Sequence, residues 1–90
     1  MTQPMENPLQ TDHQIAQSLD CRGLLCPMPI YKSAMAMKQL ESGEILEILC
    51  TDPGSLADFP AFAKQGGHEL LFSKEQDGVQ TFHIRKREDS

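Results

Sequence analysis

Two cysteines lie five positions apart in "DCRGLLCPMPIYK", residues 20–32, and the second, Cys26, runs straight into Pro27 and Pro29. Cysteine chemistry needs the thiolate, and an unperturbed thiol ionises about one and a half units above neutrality. Oriented peptide dipoles and unpaired N–H groups at a helix N-terminus favour that anion. Proline is well tolerated at the first helical position, so Pro27 marks a helix start directly after Cys26. Pro27 and Pro29 each withhold an N–H, which weakens the dipole help, but both fix φ and hold the thiol in one presentation. Cys26 therefore reads as a modestly activated nucleophile at a helix mouth, set against the alternative of a cysteine placed there by packing alone.

The surrounding residues have narrower readings. Gly23 permits a sharp turn ahead of Cys26. Arg22 either lends positive potential to a thiolate or is a solvated loop charge. Cys21 is either incidental to a strand end or a second thiol able to close on Cys26. Cys50 falls in an alternating apolar run and reads as a small buried hydrophobe. No general base is evident, since His13 stands in a polar stretch and His68 and His83 read as strand-borne. A metal site would draw on Cys21, Cys26 and His68, but no Cys-x-x-Cys spacing supports one, and neither a metal nor a cofactor is expected.

The elements that must position Cys26 follow from periodicity. Residues 1–13 are polar and aperiodic and predict a flexible arm, leaving 14–87 as the folded domain. "IAQSLD" from Ile15 predicts a short strand. A helix beginning beside Pro27 would bury Ile30, Ala34, Met37 and Leu40, turn Lys32, Met35 and Gln39 away, and end at Gly43. "EILEILCT" from Glu44 is the clearest strand, with Leu46, Ile48 and Cys50 on the core face. Asp52 and Pro53 predict a second helix start, Leu56, Phe59 and Ala63 its buried stripe, and Gly66 and Gly67 its end. Pro60 predicts a kink or a broken second half. A hairpin from His68 to Lys86 turns on Asp77-Gly78. The order β-α-β-α-β-β, with a right-handed parallel first unit, predicts a two-layer α/β sandwich: a four-stranded mixed sheet with two helices on one face.

Composition limits what the domain can serve. The 90 residues carry a formal net charge of −5, with 39% hydrophobic and 23% charged residues, which suits one small globular domain. Its field repels polyanions, so no direct binding of nucleic acid or of an anionic membrane is expected. The local run Arg85 to Arg87 is followed at once by Glu88 and Asp89 and reads as a solvated strand end. The first fourteen residues contain neither an apolar run nor a basic leader, and no stretch is long enough to span a bilayer. A cytoplasmic, reducing setting is the expectation, where a thiol is more often free or catalytic than bridged.

"DCRGLLCPMPI" resembles the Cys-Pro-x-Pro signature of the TusA family, also called SirA-like, of small sulfur-carrier proteins. The likeness extends through "ESGE", "TDPGSLADFPAFAKQGGHEL" and the final hairpin, over roughly residues 15–86. It implies that Cys26 carries sulfur as a persulfide, received from a cysteine desulfurase or a rhodanese-type donor and passed to an acceptor protein of a sulfur relay. Such a protein is a sulfurtransferase-type carrier, monomeric when free, rather than a stand-alone enzyme. Members serve tRNA thiolation, sulfur oxidation or other sulfur trafficking. The rival reading is a redox-sensing or regulatory interaction domain in which Cys21 and Cys26 switch between dithiol and disulfide.

Overall fold

The computed structural model describes residues 15–25 and 27–88, so the arm expected over 1–13, His13 and Cys26 itself lie outside the described residues. Six elements follow in the expected order: β1 Ile15–Cys21, α1 Met28–Gln39, β2 Ile45–Cys50, α2 Ser55–Gly66, β3 Glu69–Gln76 and β4 Val79–Arg85. They form one mixed sheet ordered β1-β2-β4-β3. β1 and β2 are parallel, as the crossover through α1 requires, while β4 is antiparallel to both β2 and β3. The β3–β4 turn places Asp77 at φ 53 and Gly78 at φ 81, the paired positive φ that a two-residue hairpin demands and an Asp-Gly sequence supplies.

Both helices cover one face. Leu46, Ile48, Cys50, Phe82 and Ile84 from the sheet join Ala36, Met37, Phe59 and Ala63 from the helices in a single buried cluster. Leu46, Ile48 and Phe59 are fully buried, as the alternation predicts. Each such large side chain contributes about 1.5–3 kcal/mol through burial. Phe59 stacks on Phe82 with centroids 4.8 Å apart, which locks α2 onto β4.

The helices differ from expectation in instructive ways. α1 buries Pro29, Ser33, Ala36 and Met37, with Leu40 closing the line, whereas Ile30 and Ala34 are only half-buried. Ser33 and Ala36 are small, so a count of large apolar positions misses them, while Met37 and Leu40 are buried as expected. Lys32, Met35 and Gln39 are exposed as expected. α1 ends at Leu40, not Gly43: Leu40 turns extended (φ −86, ψ 156) to reach the core, and the Lys86 ammonium donates to its carbonyl at 2.6 Å. Gly43 instead takes φ 86 in the turn that leads to β2.

Asp52 does not cap α2. It accepts the Gly54 N–H at 3.3 Å in a turn that precedes the helix, and Gly54 occupies the N-cap. Leu56 is exposed, so the buried line is Ser55, Phe59 and Ala63. α2 runs unbroken through Pro60; Pro60 and Leu56, whose carbonyl loses its donor, both lie on the exposed side, where water can satisfy that carbonyl. Gly67, at φ 76, ends the helix as expected.

Candidate functional site

β1 and β2 are parallel, so their C-terminal ends finish side by side. Cys21 and Cys50 are register partners there, and neither has any solvent exposure. The neighbour of Cys21 is thus Cys50, a pairing that spacing along the chain does not suggest. Both are free thiols. Burial pushes the Cys21 thiol up, against the opposing pull of Lys32. Burial likewise pushes Cys50 up to about 11, although the Ser55 hydroxyl hydrogen-bonds its sulfur. Two neutral, enclosed thiols are poor nucleophiles.

The chain then leaves the sheet through a turn built by its sequence. Leu24 N–H donates to the Cys21 carbonyl at 3.1 Å, and Gly23, at φ 84, makes the reversal that a side chain would strain. The Gly23 N–H donates to Thr51 Oγ1 at 2.9 Å, tying this turn to the end of β2. Arg22 is held by Asp20: Nε to Oδ1 at 2.8 Å and Nη2 to Oδ2 at 2.9 Å. Its backbone N–H reaches the same carboxylate at 3.1 Å. These bonds from Arg22 draw the Asp20 carboxyl down to about 2. Arg22 therefore secures the turn, its charge answered by Asp20.

Position 26 falls between two well-defined flanks. Leu25 is 72% exposed, and its carbonyl accepts the Met28 N–H at 2.9 Å, pinning the chain on either side. Pro27 is the N-cap of α1, with no side-chain cap, and its carbonyl accepts the Tyr31 N–H at 3.1 Å. Pro29 is buried at the second helical position. The Met28 N–H is spent on Leu25 and Pro29 has none, so the helix terminus offers an anion fewer donors than an ordinary one. Leu25, Met28 and Tyr31 are all exposed, and the last two share a helical face at i, i+3.

Sequence reasoning overlooked three contributors: Thr51, Ser55 and Gln80. Gln80 is buried opposite Cys50 on β4; the alternation Gln80, Phe82, Ile84 carries that signal, because it aims a glutamine at the core. The histidines are at other places. His83 lies on the open sheet face, with Nε2 3.0 Å from Glu47 Oε2. His68 precedes β3 rather than belonging to it and accepts the Arg87 N–H at 3.0 Å. That is the opposite end of the sheet from Cys21, so these two do not converge on a metal. Among the described residues no cluster of three or more His, Cys, Asp or Glu side chains could hold one.

Comparison with known proteins places this arrangement. A family model described as Sulfurtransferase TusA matches residues 17–86. The chain is 49% identical over 70 residues to the sulfur carrier protein TusA of Allochromatium vinosum, covering 78% of this chain and 92% of that relative. Its fold is similar to the crystal structure of a SirA-like protein from Desulfitobacterium hafniense, with TM-score 0.70, 23% identity, and coverage of 80% of this chain and 99% of the other. No helix among the described residues is long and apolar enough to cross a membrane.

Proposed function

The chain belongs to the sulfurtransferase TusA family, and from that premise we propose that it is a sulfur carrier whose Cys26 accepts sulfane sulfur from a donor protein and hands it to an acceptor. The observation that carries this reading is a contrast among three thiols. Cys21 and Cys50 are fully enclosed, whereas Cys26 stands in the chain between exposed Leu25 and the N-cap of α1. A carrier's thiol has to meet another protein's sulfur, and the enclosed pair cannot.

The transfer conserves electrons. The Cys26 thiolate attacks the terminal sulfur of a donor persulfide; the donor's S–S bond breaks as a new S–S bond forms at Cys26, and the donor departs as a thiolate that takes up the proton Cys26 gave away. The same exchange run against an acceptor thiolate unloads Cys26. Rigid presentation by Pro27 and Pro29 fits attack along a fixed line. Exposed Leu25, Met28 and Tyr31 give a partner apolar surface to bury beside the sulfur. The donor is a desulfurase or a rhodanese-type protein, the acceptor a relay protein. Burial of Cys21 favours this single-thiol reading over a Cys21–Cys26 switch.

The test is intact mass under non-reducing conditions after incubation with a desulfurase and cysteine, or with a thiosulfate-fed rhodanese. Wild type, Cys21→Ser and Cys50→Ser gain sulfur; Cys26→Ser gains none. Loss of loading in Cys21→Ser as complete as in Cys26→Ser replaces the carrier with the two-cysteine switch.

A further inference from the structure

Cys21 and Cys50 have no part in the carrier chemistry, yet the fold sets them side by side. All of α1 separates them along the chain, and register alone makes them partners at the C-terminal ends of β1 and β2. Neighbouring strands lie about 4.7–4.9 Å apart, inside the Cα separation of about 4.4–6.8 Å that a disulfide spans. Both side chains join the buried core cluster without solvent exposure, so they leave adjacent strands on the same face. The two thiols hydrogen-bond each other, and both are free.

Their surroundings give the two sulfurs different parts. Burial raises the Cys21 thiol, but the Lys32 ammonium and the hydrogen bond from Cys50 both pull it back. Burial pushes Cys50 up to about 11, and the Cys21 charge adds to that rise. Cys21 is therefore the sulfur that ionises first. It also stands where the fold opens most readily. It is the last residue of β1, an edge strand, and Arg22 and Gly23 after it are exposed. Cys50 lies on β2, flanked by β1 and β4.

We propose that Cys21 and Cys50 form a second sulfur site, a dithiol that a hydroperoxide oxidises to a disulfide across the two parallel strands, independently of Cys26. The Cys21 thiolate attacks one peroxide oxygen and breaks the O–O bond. Cys21 becomes a sulfenic acid, and the departing hydroxide takes up the proton that Cys21 released, forming water. The Cys50 sulfur then attacks the sulfenic sulfur; the S–O bond breaks as the S–S bond forms, and the Cys50 proton leaves with the hydroxide as a second water. Two thiols lose two electrons and one peroxide gains them. The bridge closes a loop that holds the Gly23 turn, position 26 and α1, and such a closure restricts the unfolded chain. Enclosure makes the bridge slow to form and slow to reduce, because each step waits for the strand end to open. Oxidation braces the β1–α1–β2 unit and leaves position 26 outside the bridge.

The test uses the full chain carrying Cys26→Ser, so that only the enclosed pair remains. It is treated in the native state with hydrogen peroxide, then alkylated in denaturant. Intact mass should show the loss of two hydrogens and no alkylation, and a non-reduced digest should join the Cys21 peptide to the Cys50 peptide. The thermal midpoint should rise by about 10 °C and return on full reduction. Cys50→Ala in the same background should show neither the mass loss nor the rise. Wild type oxidised in urea should favour the short Cys21–Cys26 loop, whereas wild type oxidised in the native state should hold Cys21 to Cys50. Two thiols still open to alkylation after prolonged native exposure, a bridge between two chains, or a native wild-type bridge from Cys21 to Cys26 overturns the proposal. Sulfur loading at Cys26 is measured separately, so failure of the bridge leaves the carrier reading standing.

Discussion

The end of the sheet where β1 and β2 finish and the end where β4 finishes are made of opposite materials. The first gathers two buried thiols, the Asp20–Arg22 pair and the exposed apolar residues Leu25, Met28 and Tyr31. The second gathers Lys38, Lys86, Arg87 and His68 around an open cavity. Parallel pairing of β1 with β2 brings the first set together, since a right-handed crossover returns the chain so that both strands end on the same side. The antiparallel return of β4 builds the second set, because it carries the basic run at residues 85–87 back to the C-terminal ends of the helices. A chain with one core thus carries two chemically different ends.

Within the thiol end the division is sharper still, and labelling is the strongest way to break it. One of the three cysteines is expected to react at once with a thiol reagent in the native protein. Cys21 and Cys50 should react at least about a thousandfold more slowly, because the reagent has to wait for the fold to open. Peptide mapping after a short pulse reads this directly. Rapid modification of Cys21 would show that its enclosure in the fold does not protect it.

The two ends share one core, so a cavity in it should weaken both. Phe82 is 1% exposed and stacked on Phe59. Phe82→Ala is expected to cost about 3–5 kcal/mol in urea unfolding. Loss of only a few tenths would mean that the helical layer is not held by this stack. Alkali probes the same interior more gently. The native Cys50 thiol ionises near 11 rather than at its ordinary 9.0. Between those values the unfolded chain has released a proton that the native chain retains, so stability falls as pH rises through that window. Cys50→Ala should flatten that decline, measured as thermal midpoint against pH.

How much of this was legible beforehand depended on which force fixed each feature. β2 was plain because Leu46, Ile48 and Cys50 alternate strictly, and the hairpin because Asp77-Gly78 has one conformation to offer. The buried line of α1 was legible in part: Met37 and Leu40 are buried as their spacing predicts, whereas Ser33 and Ala36 are small side chains whose burial is set by what the helix packs against, a tertiary matter. The end of α1 was misplaced for the same reason: Gly43 signals a stop, but the pull of Leu40 into the core ends the helix earlier. The partner of Cys21 was hidden by chain distance, since register alone makes Cys50 its neighbour. The basic run at the end of β4 looked solvated because the residues completing the cavity, Lys38 and Phe62, come from two other elements.

The smallest effect separates two roles for Arg22, guardian of the turn or source of potential for the Cys26 thiolate. Both Asp20 and Arg22 are exposed side chains, yet two hydrogen bonds between them and a third from the backbone hold the Asp20 carboxyl near 2 rather than 3.8. A carboxyl depressed in the fold stabilises above its ordinary value and loses that contribution as pH falls through the folded one, so the pair is intact at neutral pH and is dismantled between about 3.8 and 2. Side-chain NMR of Asp20 should give a midpoint near 2 in the wild type and one close to 3.8 in Arg22→Ala. If Arg22 acts only on the turn, sulfur loading of that variant at neutral pH should fall by no more than a few-fold, since Gly23 still binds Thr51 and Pro27 still caps α1. A loss of loading that follows a rise in the Cys26 pKa, measured from the pH dependence of its alkylation rate, would instead show that the guanidinium reaches the thiolate although Asp20 holds it.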